Sequence, residues 1–192
     1  MSKIAILALQ GAFAEHQQML HRLGAETMLI RNLSDWNEYL HTTDGQPQGV
    51  IIPGGESTAM MRIISDEELL EPVRNAIIDG MPAFGTCAGL IMLDRCHLGT
   101  MDILAHRNAY GRQLGSFCAE AEVSGGGICP MTFIRAPYIE EAGDGVDVLA
   151  VVEDRIVAAR QDRQLVTAFH PELTTDTRIH EMFLQIVTDG RC

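Results

Sequence analysis

The chain has too few cations for a basic face. Among 192 residues, 14 Lys and Arg stand against 26 Asp and Glu, a formal net charge of -12. Nucleic acid and anionic membrane both call for clustered positive charge, so neither is expected as the main partner. Long apolar runs are also missing. The first, Ile4-Ala5-Ile6-Leu7-Ala8-Leu9, stops at Gln10 and is followed by Glu15-His16. That is far short of the roughly 20 apolar residues of a membrane span. It also lacks the longer apolar region and small-residue cleavage site of a secretory signal, so a buried first strand fits it better.

Cysteine is sparse in any organised pattern. Cys87, Cys96, Cys118, Cys129 and Cys192 are odd in number and contain no C-x-x-C pair, which argues against a disulfide framework or a zinc site. No metal ligand is assigned. Reduced thiols in a cytoplasmic protein are expected, most of them acting as small core hydrophobes. No repeat, low-complexity tract or linker interrupts residues 1–192, a length that suits one domain.

What is present alternates strand and helix. Lys3 to Leu9, Thr27 to Ile30, Val50 to Ile52 and Pro82 to Phe84 read as short strands. Helices are expected from Ala12 to Leu23, from Ser34 to Leu40, from near Thr58 under a Ser57 cap, and from Pro72 as a first helical residue to Gly80. Thr42 to Pro47 reads as a loop. Such alternation implies an α/β fold, a doubly wound, mostly parallel sheet with helices on both faces. From Met101 to Ala168 the texture changes to short β-rich segments at 119–123, 131–134, 148–152 and 155–159, expected as antiparallel edge strands. Ile179, Met182, Phe183, Ile186 and Val187 then mark a C-terminal amphipathic helix.

The sharpest local feature is Gly85-Thr86-Cys87-Ala88-Gly89, between a strand and the apolar run Leu90 to Leu93. G-x-C-x-G in that setting matches a nucleophile elbow with cysteine in the serine position. The thiol would sit at a helix N-terminus, whose dipole favours thiolate, and the N–H of Ala88 would face a developing oxyanion. On its own the motif leaves open a plain buried cysteine in a glycine-rich turn. A thiolate needs a base and the base needs an orienting group. His170-Pro171-Glu172 follows the apolar run Leu165 to Phe169, and in an extended segment residues two apart point the same way. His16, His21, His41, His97, His106 and His180 have no comparable setting and read as solvated or structural. Pro53-Gly54-Gly55-Glu56-Ser57 also follows a buried strand. It therefore lies at the carboxyl edge where open α/β sheets bind ligands.

Together, Pro-Gly-Gly-Glu-Ser, Gly-Thr-Cys-Ala-Gly-Leu and His-Pro-Glu, in this order, resemble the class I (triad) glutamine amidotransferases. Leu9-Gln10-Gly11-Ala12 with Glu15-His16, Arg107 to Gln113, Phe133 to Pro137 and His170 to Thr174 narrow the resemblance to the glutaminase subunits of pyridoxal 5'-phosphate synthase. It runs from about Lys3 to Val187. It implies a class I glutamine amidotransferase-like, flavodoxin-like fold over 1–192 as a single glutaminase domain. Cys87 would be the nucleophile, His170 the base and acid, and Glu172 the orienting carboxylate. Gly55 and Ala88 would supply oxyanion N–H groups. Gly55, Glu56, Ser57, Arg107, Ile134 and Arg135 would hold L-glutamine. No cofactor is expected on the glutaminase itself. The implied partner is a synthase, a (β/α)-barrel protein in a large ring, which consumes the ammonia to make pyridoxal 5'-phosphate (vitamin B6). One departure stands out: Asp94 to Gly99 occupies the place of a longer loop. Two competing classes are a cysteine peptidase of the same architecture, which the glutamine-pocket segments disfavour, and a redox or chaperone protein with a reactive elbow cysteine. The latter needs no His-x-Glu partner.

Overall fold

β-Branched and aliphatic runs set the sheet. Ile4, Ile6, Val50, Ile51 and Ile52 are fully buried, each stabilising the fold by about 1.5–3 kcal/mol if wholly withdrawn from water. The structure, a computed structural model, describes residues 2–42, 48–107 and 116–189. Five parallel strands form its centre in the order β2 (Glu26–Ile30), β1 (Lys3–Leu7), β3 (Gln48–Ile52), β4 (Ala83–Thr86) and β11 (Gln164–Thr167). The sheet continues antiparallel through β10 (Arg155–Gln161), β8 (Tyr138–Ala142) and β5 (Ile103–His106), with β9 (Asp147–Val152) also paired to β10.

Helices flank this sheet: α1 (Phe13–Arg22), α2 (Leu33–His41), α3 (Ser57–Asp66), α4 (Leu70–Ile78), α5 (Ala88–Leu93) and α6 (Arg178–Asp189). The parallel, doubly wound centre and the antiparallel edge agree with the expectation from sequence. Several details differ. The segments expected at 119–123 and 131–134 belong to longer strands, β6 (Ser116–Val123) and β7 (Gly127–Ile134), which pair only with each other as a separate hairpin. Helix α3 is capped by Glu56 rather than Ser57. The Glu56 carboxylate accepts from the N–H groups of Thr58 and Ala59, and Ser57 is already helical. Pro72 is the third residue of α4, not the first; it still lies within the first turn, where no intrahelical N–H is lost. Part of the loop at Thr42 to Pro47, residues 43–47, lies outside the described residues, as do Asn108 to Gln113 of the resemblance and Cys192.

The strand order 2-1-3-4 places a topological switch between β1 and β3. The loops leaving these two strands therefore open a crevice at the carboxyl edge. Gln10-Gly11 follows β1, Gly54-Gly55 follows β3, Cys87 follows β4 and His170 follows β11.

Candidate active site

Cys87 connects β4 to α5 with φ 49° and ψ -99°. A positive φ on a residue with a Cβ is strained, and the surroundings must hold it. They do so by close approach. The Cys87 N–H donates to the Thr167 carbonyl at 2.8 Å. A Cβ on Gly89 would lie 2.0 Å from the Ile52 carbonyl oxygen, and one on Gly85 would lie 2.6 Å from the Gly89 backbone. Only glycine permits this packing of elbow against β3. Because α5 begins at Ala88, the Ala88 N–H is one of the amides left without a partner inside the helix.

His170 reaches the same place from β11. Its backbone N–H donates to the Thr132 carbonyl of β7 at 2.8 Å. Its ring Nδ1 lies 2.7 Å from Glu172 Oε1. The geometry is not that of an extended strand, as the sequence suggested. Pro171–Leu173 forms a 3₁₀ turn, and the turn swings the Glu172 carboxylate back under the ring. Nδ1 faces the carboxylate, and Nε2 is left for the Cys87 thiol. Burial opposes charge on His170, but the hydrogen bonds of Cys87 and Glu172 and their charges outweigh it and raise its pKa to about 10. A ring that holds its proton this firmly beside a cysteine is suited to act as base and acid for a thiol nucleophile. Burial also pushes the Glu172 carboxyl up. The neighbouring His16 ring, then the hydrogen bond and charge of His170, overcome this and leave it below its ordinary value.

A cavity of about 490 Å³ opens over the pair, lined by Gly55, Glu56, Ser57, Cys87, Ala88, Arg107, Ile134, Arg135 and His170 among others. Every residue expected from the sequence to touch glutamine lies on this wall. Glu172 is set behind His170. Arg107 donates to Thr58 Oγ1 at 3.0 Å and to His97 Nε2 at 3.2 Å, and His97 Nδ1 in turn faces Asp94 Oδ1 at 2.7 Å. Asp94 is buried and also accepts from the N–H groups of Cys96 and Ala105. The short 94–99 loop is thus wound around one carboxylate and delivers His97 against Arg107. The Cys87 thiol lies 3.9 Å from the Ile134 carbonyl, so the β6–β7 hairpin closes the remaining side.

Two of the histidines read from sequence as solvated or structural are not solvated, and the pair lies beside Glu172 and Thr86. His16 and His180 are fully buried. His16 Nδ1 lies 2.9 Å from His180 Nε2, and His16 Nε2 lies 3.1 Å from Thr86 Oγ1 and 3.5 Å from Glu172 Oε2. The only sequence signal for them is His16 within a motif that also carries Gln10-Gly11. Cys96 and Cys118 are exposed rather than core residues, while Cys87 and Cys129 are buried. Among the described residues no His, Cys, Asp and Glu cluster can hold a metal ion, and no helix is long and apolar enough to cross a membrane.

Comparison with known proteins follows the same lines. A profile of the SNO glutamine amidotransferase family matches residues 6–189. The chain is 52% identical over 191 residues to the pyridoxal 5'-phosphate synthase subunit PdxT of Streptococcus pneumoniae serotype 2 strain D39, covering 96% of this chain and 97% of the relative. The PdxT of Streptococcus pneumoniae serotype 4 strain TIGR4 matches at the same identity and coverage. Among solved structures, a glutamine amidotransferase crystal structure superimposes with a TM-score of 0.85 at 39% identity, covering 96% of this chain and 98% of the other. The structure of PurLQS from Thermotoga maritima shares the fold at a TM-score of 0.73 and 14% identity, covering 97% of this chain and 99% of the other.

Proposed function

The chain belongs to the SNO glutamine amidotransferase family, and from that premise we propose that it hydrolyses L-glutamine to L-glutamate and ammonia as the glutaminase subunit of a pyridoxal 5'-phosphate synthase. The observation that carries the chemistry is the His170 Nδ1 to Glu172 Oε1 contact of 2.7 Å behind a cysteine on a strained elbow. The Cys87 thiolate attacks the side-chain amide carbon of glutamine. The oxyanion is met by the N–H groups of Ala88 and Gly55. Imidazolium His170 gives its Nε2 proton to the amide nitrogen, the C–N bond breaks and ammonia leaves. Water then attacks the thioester while neutral His170 takes its proton. The C–S bond breaks, and glutamate leaves with the thiolate–imidazolium pair restored. Glu172 fixes the tautomer and orientation of His170 throughout. Arg107, beside Glu56 and Ser57, offers a cation to the substrate carboxylate, and Ile134 and Arg135 close over the side chain.

In this reading residues 1–192 act as one glutaminase domain in the cytoplasm, with no cofactor of their own. The partner is a synthase of (β/α)-barrel subunits in a ring, which receives the ammonia. The loop after β1 is placed to sense that partner. The Ala12 N–H donates to the Gly54 carbonyl at 3.0 Å, and the Glu56 N–H donates to Gln10 Oε1 at 2.8 Å. Residues 10–12 thus grip the Gly54-Gly55 peptide from both ends. Docking on that loop turns the peptide and aims the Gly55 N–H at the oxyanion. An oxyanion donor is worth about 10²–10³ in rate, so isolated chain should release ammonia at least about a hundredfold more slowly than chain saturated with synthase. Steady-state ammonia release from glutamine, with and without synthase, tests both statements. Cleavage of peptide substrates instead of glutamine would overturn the activity, and equal rates with and without synthase would overturn the gate.

A further inference from the structure

Glu172 spends one carboxylate oxygen on His170. The other, Oε2, is buried and has no hydrogen-bond partner within ordinary distance among the described residues. A side chain placed to donate to it is His16, whose Nε2 lies 3.5 Å away, while the Glu172 backbone N–H also acts on the carboxylate. A carboxylate oxygen sealed from water without a donor is costly, so the tautomer of His16 decides whether this site is satisfied.

Two unpartnered atoms choose the same tautomer. His180 Nδ1 is also buried without a partner among the described residues. A lone pair left there costs less than a stranded N–H, so the proton of neutral His180 belongs on Nε2. That nitrogen is 2.9 Å from His16 Nδ1, which must then accept. Neutral His16 therefore carries its proton on Nε2, between Thr86 Oγ1 and Glu172 Oε2. The reverse assignment would strand a donor on His180 and press a lone pair of His16 against a carboxylate. Burial first, and for His16 the charge of His170, lowers both imidazoles and keeps them neutral, while Glu172 and Glu15 pull His16 the other way.

We propose that His16, with its tautomer set by His180, is a positioning residue for the triad, its Nε2–H holding the second oxygen of Glu172. The proposal rests on the triad reading above. The relay then runs from α6 through α1 to the nucleophile: His180, His16, Glu172, His170, Cys87. The 3.5 Å contact is long, as such bonds often are before substrate is bound.

The test compares His16→Leu, which fills the space without a donor, with His16→Gln, whose amide can donate to Glu172 and accept from His180. Glutamine turnover is followed against pH with saturating synthase. A charge-bearing hydrogen bond of this kind is worth about tenfold. His16→Leu should lose about that factor in kcat with KM for glutamine little changed. The acid limb of its pH profile should move to higher pH, because Glu172 then protonates more readily. His16→Gln should recover most of the rate and the limb. A pH profile in His16→Leu that superimposes on the wild type, or equal losses in the two variants, would overturn the proposal. Should His16→Leu not fold, ¹⁵N chemical shifts of the histidine rings in the unmodified chain decide. Unprotonated Nδ1 and protonated Nε2 in both His16 and His180 support it, and a proton on Nδ1 of either overturns it. Ammonia release by Cys87→Ala separates the two levels. Persistence there would remove the triad itself, whereas the ring tautomers stand or fall independently.

Discussion

Gly54 lies so close beneath His170 that a Cβ on it would come within 2.2 Å of the ring Cε1. The loop after β3 is therefore the floor on which the His170 ring rests, and in the proposed mechanism the same loop supplies an oxyanion N–H. Loop and ring cannot move independently.

Gly54→Ala should for this reason displace the His170 ring while leaving the sheet intact. Misplacing a reacting group by about 1 Å costs on the order of a hundredfold, so kcat of the synthase-bound enzyme should fall by about that factor. Far-ultraviolet circular dichroism should stay unchanged. Wild-type turnover in Gly54→Ala would mean that the ring is not held against this glycine.

Cysteine reactivity should run against exposure. Cys87 is 7% exposed, whereas Cys96 and Cys118 are exposed. Burial pushes the Cys129 thiol up, so it should be inert. Brief iodoacetamide treatment followed by peptide mapping should find Cys87 labelled first, through its pairing with His170. Labelling that follows exposure, with Cys96 and Cys118 ahead, would deny the thiolate–imidazolium pair.

The buried histidines give stability a sign in acid. Burial holds His16 and His180 below the ordinary value of 6.5. Unfolding releases rings that bind protons as pH falls through that value, so the unfolded state gains protons and stability declines on acidification. His180→Leu removes one such group. Its melting temperature should fall less than that of the wild type between about pH 7 and about pH 5, narrowing the gap between the two proteins. A gap independent of pH would show that His180 is not held neutral.

What could be read from sequence was whatever chemistry is local. The Cys87 elbow needs glycines two residues away on either side, and His170 needs a carboxylate two residues on, so both are written in short strings. The relay behind them is not. His16 and His180 are 164 residues apart, and they meet only because α1 and α6 pack together beside β4. The strand β8 was missed because Tyr138–Ala142 carries two exposed acids, Glu140 and Glu141, at positions that periodicity alone assigns to a loop. The capping role of Glu56 was hidden by the serine after it, a better cap by residue type but one step too far along the chain.

The most direct measurement is ammonia release from glutamine by Cys87→Ala in the presence of saturating synthase. The side chain is small and the elbow backbone is held by Gly85, Gly89 and the Thr167 carbonyl, so the variant should fold and still bind its partner. Release should drop to the level of the uncatalysed reaction. Substantial ammonia release by a folded, synthase-bound Cys87→Ala chain would contradict the assignment of Cys87 as the nucleophile and, with it, the glutaminase mechanism proposed for this site.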